Sequence, residues 1–185
     1  VQTCALPIFD AVSASLRSGR LTMGPSLVAF EHAMAQRTRR PHGVGVASGS
    51  IAMEIALKAL GVGTGDEVLV SAFGYSSNVN AVLHVGARPV FVDADPATLN
   101  MDVRKAEKAA TPRTKAMLVA ETFGNPAGFP ELIALCSRLE IPMVENATEG
   151  LGCTLGSDNV GRFGRLACFG FFTNRPDRKS TRLNS

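Results

Sequence analysis

The sequence has few cysteines and no long hydrophobic run, and these two features exclude several classes of protein. Four cysteines among 185 residues are too few for a disulfide-stapled scaffold. Glycine and proline, at 18 and 10 residues, occur near their average frequencies, which excludes fibrous and disordered chains. The longest strongly apolar stretch toward the C-terminus, residues 166–172, is far shorter than the roughly 20 residues of a membrane span. With 45% hydrophobic and 19% charged residues, the composition predicts a soluble globular domain without a membrane partner.

The excess of positive charge is small and lies at the C-terminus. The chain has 19 Lys and Arg residues against 16 Asp and Glu residues, a net charge of +3. Residues 1–8 and 177–184 can be written with codons that are reverse complements of each other, so we interpret 1–8 and 177–185 as foreign, adapter-like segments. The alternative is a frayed apolar N-terminus and a solvated basic tail. Without both segments, residues 9–176 contain 16 cations and 15 anions, which predicts no nucleic-acid partner.

The remaining cysteines are isolated from one another. Cys136, Cys153 and Cys168 lie in mostly apolar surroundings and form no Cys-x-x-Cys pair. This usage is typical of reduced, partly buried thiols in a cytoplasmic protein. The three histidines are widely spaced, so we expect no metal site.

Short apolar runs alternate with helical patterns along the chain. The patterns predict helices near 27–34, 51–60, 77–85, 103–110 and 130–139, and strands at 44–47, 67–70, 89–92, 115–119, 142–145 and 166–171. Strands that are apolar on both faces, separated by helices, indicate an α/β fold with a three-layer, doubly wound, mostly parallel sheet. Ligands of such sheets bind outside the carboxyl ends of the strands. We therefore expect the site among the loops 48–50, 71–78, 121–126 and 145–150.

The first of these loops has the chemistry of an anion site. Ser48, Gly49 and Ser50 follow a predicted strand and begin a predicted helix, whose free backbone N–H groups and two hydroxyls suit a phosphate. The alternative is a plain helix cap, because serine is among the best capping residues. The chain has neither a G-x-G-x-x-G motif nor a Walker lysine, so a dinucleotide or nucleoside triphosphate is not expected.

Two other loops carry candidate ligand contacts. Tyr75, the only tyrosine, follows the 67–70 strand and could stack on a planar ligand, or it could pack within its loop. Glu145, Asn146 and Glu149 stand at the end of the predicted apolar strand 142–145, where a carboxylate could hold a heteroaromatic ring nitrogen or act as an acid or base. The alternative for Asn146 and Glu149 is a capping box at the start of a helix.

Further motifs surround these loops in a fixed order. They are Ser18-Gly-Arg-Leu-Thr-Met-Gly-Pro25, Phe30-Glu31, Ala47-Ser-Gly-Ser50, Ala59-Leu-Gly-Val-Gly-Thr-Gly-Asp-Glu-Val68, Asn80-Ala-Val-Leu83, Gly86-Ala-Arg-Pro-Val-Phe-Val-Asp93, Thr111-Pro-Arg-Thr-Lys-Ala116, Phe123-Gly-Asn-Pro126, Val144-Glu-Asn-Ala147 and Cys168-Phe-Gly-Phe-Phe172. Together they resemble the N-terminal half of nucleotide-sugar aminotransferases of the DegT/StrS type, over essentially all of residues 9–175.

The resemblance implies a fold type I enzyme that uses pyridoxal 5'-phosphate (PLP). Such an enzyme has a large α/β domain, a smaller C-terminal domain and active sites at a homodimer interface. Members transfer an amino group from glutamate to a keto-sugar nucleotide, in the biosynthesis of cell-surface polysaccharides or antibiotic sugars. Residues 9–176 then correspond to a truncated large cofactor-binding domain, with the small domain absent.

The resemblance also implies roles for individual residues. Gly49 and Ser50, next to Ser48, match the cradle of the cofactor phosphate. Tyr75 matches the aromatic residue that stacks on the pyridine ring, and Glu149 matches a polar side chain near the phenolic oxygen.

Three positions depart from the family pattern. Asn146 stands where the family has an aspartate against the pyridine nitrogen, and Gly170 replaces a serine that helps to hold the phosphate. Arg175 replaces the lysine that forms the Schiff base. A neutral amide cannot keep the ring nitrogen protonated, and a guanidinium, with a pKa above about 12, offers no free amine. The chain as written is therefore not expected to catalyse the normal transamination.

Several explanations of these departures stay open. Each change needs one base transition, so the three positions are either read errors or features of a diverged paralogue. A diverged protein could be a catalytically inactive homologue that binds PLP or a sugar nucleotide as a regulatory or partner subunit. It could also be a relative of the sugar dehydratases that lack the lysine.

Overall fold

A computed structural model describes residues 6–126 and 128–171, without the side chain of Leu6. These residues divide into two compact units, one up to Gly45 and one from Val46 onward. The segment 177–185 and Arg175 lie outside the described residues, and so does most of the segment 1–8.

The first unit contains two helices, α1 (Leu6–Arg17) and α2 (Pro25–Arg37). Helix α2 confirms the helix predicted near 27–34, with a proline in its first turn and Arg37 in its last turn.

The prediction of a strand at 44–47 is wrong. The backbone N–H of Gly45 donates to Glu31 Oε1 at 2.7 Å, and a side chain at Gly43 would overlap the Glu31 carbonyl. The chain is therefore bound to α2 here, and Val44 is exposed.

The second unit is built on a parallel sheet. Its strands and helices, in chain order, are α3 (Gly49–Ala59), β1 (Glu67–Ser71), α4 (Ser76–His84), β2 (Arg88–Val92), α5 (Val103–Ala109), β3 (Thr114–Ala120), α6 (Phe129–Arg138), β4 (Met143–Asn146), β5 (Thr154–Leu155), β6 (Asp158–Asn159) and β7 (Leu166–Cys168). The sheet order is β2-β1-β3-β4-β7, and every neighbouring pair is parallel. These elements confirm the predicted order of strands and helices in this unit.

Both faces of the sheet are covered by helices, which confirms the three-layer, doubly wound architecture. Helices α3 and α4 cover one face, over a core that includes Met53, Leu57, Val68, Val70, Val82, Leu118 and Val144. Helices α5 and α6 cover the other face, over a core that includes Leu69, Met117, Val119, Phe129, Leu132, Leu135 and Met143. Strands β1 and β4 are buried along their whole length, which explains the apolar runs Val68–Val70 and Met143–Val144 within them.

Two details differ from the sequence predictions. Strand β7 ends at Cys168, three residues before the predicted end, because its pairing with β4 stops at Asn146. The two-residue strands β5 and β6 form an antiparallel hairpin that the sequence did not predict, since strands this short contain no apolar alternation. No helix within 6–126 and 128–171 is long and apolar enough to cross a membrane.

Candidate functional site

The strand order of the sheet reverses between β1 and β3, and the candidate site lies at the same carboxyl edge of the sheet. Strands β1 and β3 are neighbours in the sheet. Helix α4, which follows β1, packs on one face, and helix α6, which follows β3, packs on the other. The loops after these two strands therefore diverge at the carboxyl edge, the place where ligand sites of doubly wound sheets are expected.

The N-terminus of α3 lies at this edge. Ser48 is the N-cap residue, and its Oγ accepts a hydrogen bond from the Ile51 N–H at 3.2 Å. Its neighbour Gly49 is buried, and a Cβ there would lie 3.4 Å from Gly170 Cα and 3.6 Å from Thr148 Oγ1. Ser50 is exposed. Capping and anion binding are compatible here, because a cap uses one N–H and leaves others in the first turn free to donate.

Asn146 ends β4 and is held by two side chains. Its Nδ2 donates to Asn78 Oδ1 at 2.7 Å, and its Oδ1 accepts from both the backbone N–H and the hydroxyl of Thr148. Asn78 and Asn146 are 2% and 7% exposed, so this amide pair is buried. No helix follows Asn146, and the predicted alternative of a capping box with Glu149 is wrong.

Thr148 connects Asn146 to Gly170. Its hydroxyl binds Asn146, while its Cγ2 occupies the space in which a side chain at position 170 would begin. A Cβ built on Gly170 would lie 2.8 Å from this methyl group, closer than real contacts allow. Two of the three residues that depart from the family pattern, Asn146 and Gly170, are therefore in contact with the same threonine.

Aromatic side chains and Glu149 form the exposed rim of the site. Tyr75 is the N-cap residue of α4, three residues before Asn78, and its side chain is largely exposed. Phe73 and Phe123 pack edge to face with ring centroids 6.3 Å apart. Phe123 has a left-handed backbone (φ 55°), and its N–H donates to Glu149 Oε2 at 2.8 Å. A bulky residue in this conformation is strained, and such strain concentrates at ligand sites.

Two carboxyl groups lie buried behind this rim. Glu145, fully buried on β4, accepts hydrogen bonds from the backbone N–H groups of Gly161, Phe163 and Gly164. Glu121 is 1% exposed, and burial, followed by the neighbouring Glu145, raises the pKa of its carboxyl well above its ordinary value of 4.5. Burial, followed by the Glu145 charge, also raises the pKa of the Cys168 thiol to about 12.

The structure brings together most of the residues that the sequence singled out. Gly49, Asn146 and Gly170 surround Thr148, and Ser48, Ser50, Tyr75 and Glu149 lie in the adjoining turns. Arg175 lies outside the described residues.

Sequence reasoning missed Asn78 and Thr148, the two residues that hold Asn146. A usable signal existed for Asn78. It is a polar residue in the first turn of a helix that directly follows a buried strand, inside a loop already selected as part of the site.

A parallel α/β sheet with a helix N-terminus and a polar cluster at its carboxyl edge defines a domain of the doubly wound class, in which ligands bind at that edge. The chain belongs to the DegT/DnrJ/EryC1/StrS aminotransferase family, whose sequence pattern matches residues 5–176. The resemblance inferred from the motifs is thereby confirmed.

Individual relatives fit this assignment. UDP-N-acetyl-3-dehydro-alpha-D-glucosamine 3-aminotransferase from Acidithiobacillus ferrooxidans is 37% identical over 168 residues, which are 91% of this chain and 46% of that protein. A pleiotropic regulatory protein from Geobacillus stearothermophilus is 36% identical over 168 residues, 91% of this chain and 45% of that protein. The chain spans about half the length of the curated relatives it matches.

A solved structure gives the fold in a cofactor-bound state. The protein Spr1654 from Streptococcus pneumoniae, in its PLP form, is 29% identical and superimposes with a TM-score of 0.87. The match covers 90% of this chain and 46% of that one. The fold is that of the large domain of fold type I PLP aminotransferases, as the sequence predicted.

Proposed function

We propose that this chain is part of a PLP-dependent aminotransferase that transfers an amino group from glutamate to a keto-sugar nucleotide. The observation that carries the proposal is the meeting of the α3 N-terminus, Asn146 and Gly170 around Thr148, at the carboxyl edge of the sheet. The 3-dehydro sugar nucleotide in the name of the Acidithiobacillus relative supports the substrate class. A homodimer and a cytoplasmic location belong to the same proposal.

The phosphate end of PLP fits the residues present. The first turn of α3 offers backbone N–H groups and the Ser50 hydroxyl, and the positive end of the helix dipole favours a dianion. Gly49 and Gly170 have no side chains, so the backbone of both can come close to the phosphate oxygens. We assign the phosphate to Ser48, Gly49, Ser50 and Gly170, and the face of the ring to Tyr75.

The other end of PLP fits less well. The Asn146 amide is neutral and both of its polar atoms have protein partners, so this position supplies no anion for a protonated ring nitrogen. Arginine at position 175 supplies no free amine for a covalent bond. The residues of this chain therefore support non-covalent retention of PLP.

In enzymes of this type PLP carries the amino group between donor and acceptor and acts as an electron sink. The residues described above would orient it. Helix α3 would hold the phosphate, Tyr75 would cover the ring, and the Asn78–Asn146 pair would be the polar group available to the ring nitrogen. Glu149, fixed by the Phe123 N–H, is assigned to the phenolic oxygen.

Restoring the missing groups in the full-length protein that carries this chain tests the proposal. In Arg175→Lys combined with Asn146→Asp, added PLP should give a visible absorption band that survives dialysis, because both the amine and the carboxylate are then present. Arg138→Lys, the same change on an exposed helix position, is the matched control and should give no band that survives dialysis. A folded double variant that retains no PLP would contradict the proposal.

A second candidate is a homologue that binds PLP or a sugar nucleotide reversibly and acts as a regulatory or partner subunit. The contact of both Asn146 and Gly170 with Thr148 favours it, since the two departures then belong to one packed cluster. Resequencing the gene through position 175 separates the candidates. Lysine at 175 with aspartate at 146 supports the enzyme, and confirmed Arg175 with Asn146 supports the binder.

A further inference from the structure

Glu145 and Asn146 are consecutive on β4, and their side chains point to opposite faces of the sheet. Asn146 lies on the face covered by α3 and α4, where Asn78 binds it. Glu145 lies on the face that holds Met143 and Phe163. Neither the phosphate contacts nor the ring contacts proposed above use Glu145, so its buried carboxylate needs a separate explanation.

Glu145 organises the backbone that leads from the hairpin to β7. Its Oε2 accepts from the N–H groups of Phe163 at 2.9 Å and Gly164 at 3.0 Å, and its Oε1 accepts from the Gly161 N–H. Gly164 is followed closely by β7, which places Gly170 against Gly49. The Glu145 carboxylate therefore holds in place the segment that leads through β7 to Gly170, a residue of the candidate site.

Glu121 reaches the same region from the end of β3. Its two carboxyl oxygens have no hydrogen-bond partner among residues 6–126 and 128–171. A Cβ built on Gly150 would lie 3.3 Å from Glu121 Oε2, so this carboxyl group contacts the turn that contains Thr148 and Glu149. A buried carboxyl group without a partner is costly when ionised, and it is far less costly when it holds a proton.

We propose that Glu121 is a positioning residue. In its protonated form it packs beside the Glu145 carboxylate and keeps closed the 147–164 segment, which carries Thr148 and Glu149. Loss of the Glu121 proton opens that segment. The opening is a property of the protein without any ligand, so its absence would leave the proposed aminotransferase function unaffected.

The groups that face Glu121 explain why its pKa is raised and not lowered. Glu145 faces it from β4 and Cys153 from the following turn, and neither is a cation. Burial and the Glu145 charge raise the pKa of Glu121 above 4.5, the value it regains when the segment opens. Because the folded pKa is the higher one, the stabilisation by Glu121 is complete below 4.5 and is lost as the pH rises through the raised pKa.

Amide hydrogen exchange of the full-length protein, measured without ligand, tests the proposal. The reporters are the N–H groups of Thr148, Gly150, Phe163 and Gly164, which close hydrogen bonds within this segment. After correction for the intrinsic exchange rate, the opening constant should rise about ten-fold per pH unit between the ordinary and the raised pKa of Glu121, because opening releases one proton in that range. The Ala106 N–H in α5, bonded to the Asp102 carbonyl, should show no such slope.

Glu121→Gln should abolish the slope, since glutamine keeps the shape and cannot ionise. Glu131→Gln, on the exposed first turn of α6, is the matched control and should keep the slope. An unchanged slope in Glu121→Gln would overturn the proposal, and so would a flat profile in the wild type. If Glu121→Gln does not fold, the wild-type profile decides, because only a slope confined to the four reporters supports a local opening.

Discussion

Two glutamates are buried at opposite ends of the same sheet, and their surroundings differ sharply. Glu67 begins β1 at the amino edge, is 2% exposed, and is bound by Arg113 at 2.7 Å, Arg88 at 3.4 Å and the Thr111 hydroxyl at 2.6 Å. Glu121 follows β3 at the carboxyl edge, is 1% exposed, and has no hydrogen-bond partner within the described part of the chain. The hydrogen bond from Thr111, and then Arg113, lowers the pKa of Glu67, whereas burial raises that of Glu121.

The difference distinguishes a buried carboxylate with several partners, at the amino edge, from a buried carboxyl group without one in the described residues, at the edge that carries the candidate site. At the amino edge a buried carboxylate with complete hydrogen bonding ties β1 to Arg113 and Arg88, on either side of it. At the carboxyl edge the two carboxyl oxygens of Glu121 have no hydrogen-bond partner within the described residues, and Phe123 keeps a strained backbone. Sites that must accept a ligand commonly retain such unsatisfied or strained groups. The variants below are intended for the full-length protein.

The largest effect is expected from Glu145→Ala. Its removal leaves the N–H groups of Gly161, Phe163 and Gly164 without their acceptor, at a cost of about 1–3 kcal/mol for each buried group. Denaturant unfolding should show a loss of at least about 3 kcal/mol. Glu131→Ala on the exposed turn of α6 is the control, and an equal loss in both variants would argue against a special role for Glu145.

A smaller loss of stability is expected from Glu67→Gln, because glutamine keeps some hydrogen bonds to Thr111 and Arg113. The lowered pKa of Glu67 means that its stabilisation is present above 4.5 and is lost as the pH falls through the folded pKa. Glu67→Gln should therefore lose stability at neutral pH and flatten the acid side of the stability profile. Glu107→Gln removes a half-exposed pair with Arg138 and should change little. Equal effects of the two variants would contradict the comparison.

The smallest effect is expected from Gly170→Ala. The new Cβ would lie 2.8 Å from Thr148 Cγ2, and relieving this overlap should cost about 1 kcal/mol. Thr148→Ser removes the methyl group and keeps the hydroxyl that binds Asn146. The cost of Gly170→Ala should therefore disappear in the Thr148→Ser background, and a double-mutant cycle with no coupling would show that the two residues do not share this space.

Much of the fold follows from the sequence alone. The runs Val68–Val70 and Met143–Val144 are apolar because helices cover both faces of the sheet, and this signal is local. The segment 44–47 misled the same reasoning. Its apolar residues satisfy the pattern of a strand, but the contact between Gly45 and Glu31 joins residues 14 positions apart and leaves no sign in a local window.

The candidate site could be predicted only in part. Ser48, Gly49, Ser50, Tyr75, Asn146 and Glu149 stand directly at strand ends or helix starts, where the position itself suggests ligand contact. The support given by Asn78 to Asn146 spans 68 positions in sequence. Whether the Glu121 carboxyl group has a hydrogen-bond donor nearby depends on the three-dimensional packing, and the spacing of residues in the sequence does not predict it.

The ionisation of the two buried glutamates is the property on which this comparison depends, and carbon-13 NMR of the glutamate carboxyl groups measures it directly. During a pH titration of the full-length protein, the Glu67 signal should titrate below the ordinary value of 4.5 and the Glu121 signal above it, with assignments from Glu67→Gln and Glu121→Gln. Titration of Glu121 at or below 4.5 would contradict both the contrast between the two edges and the role proposed for this residue.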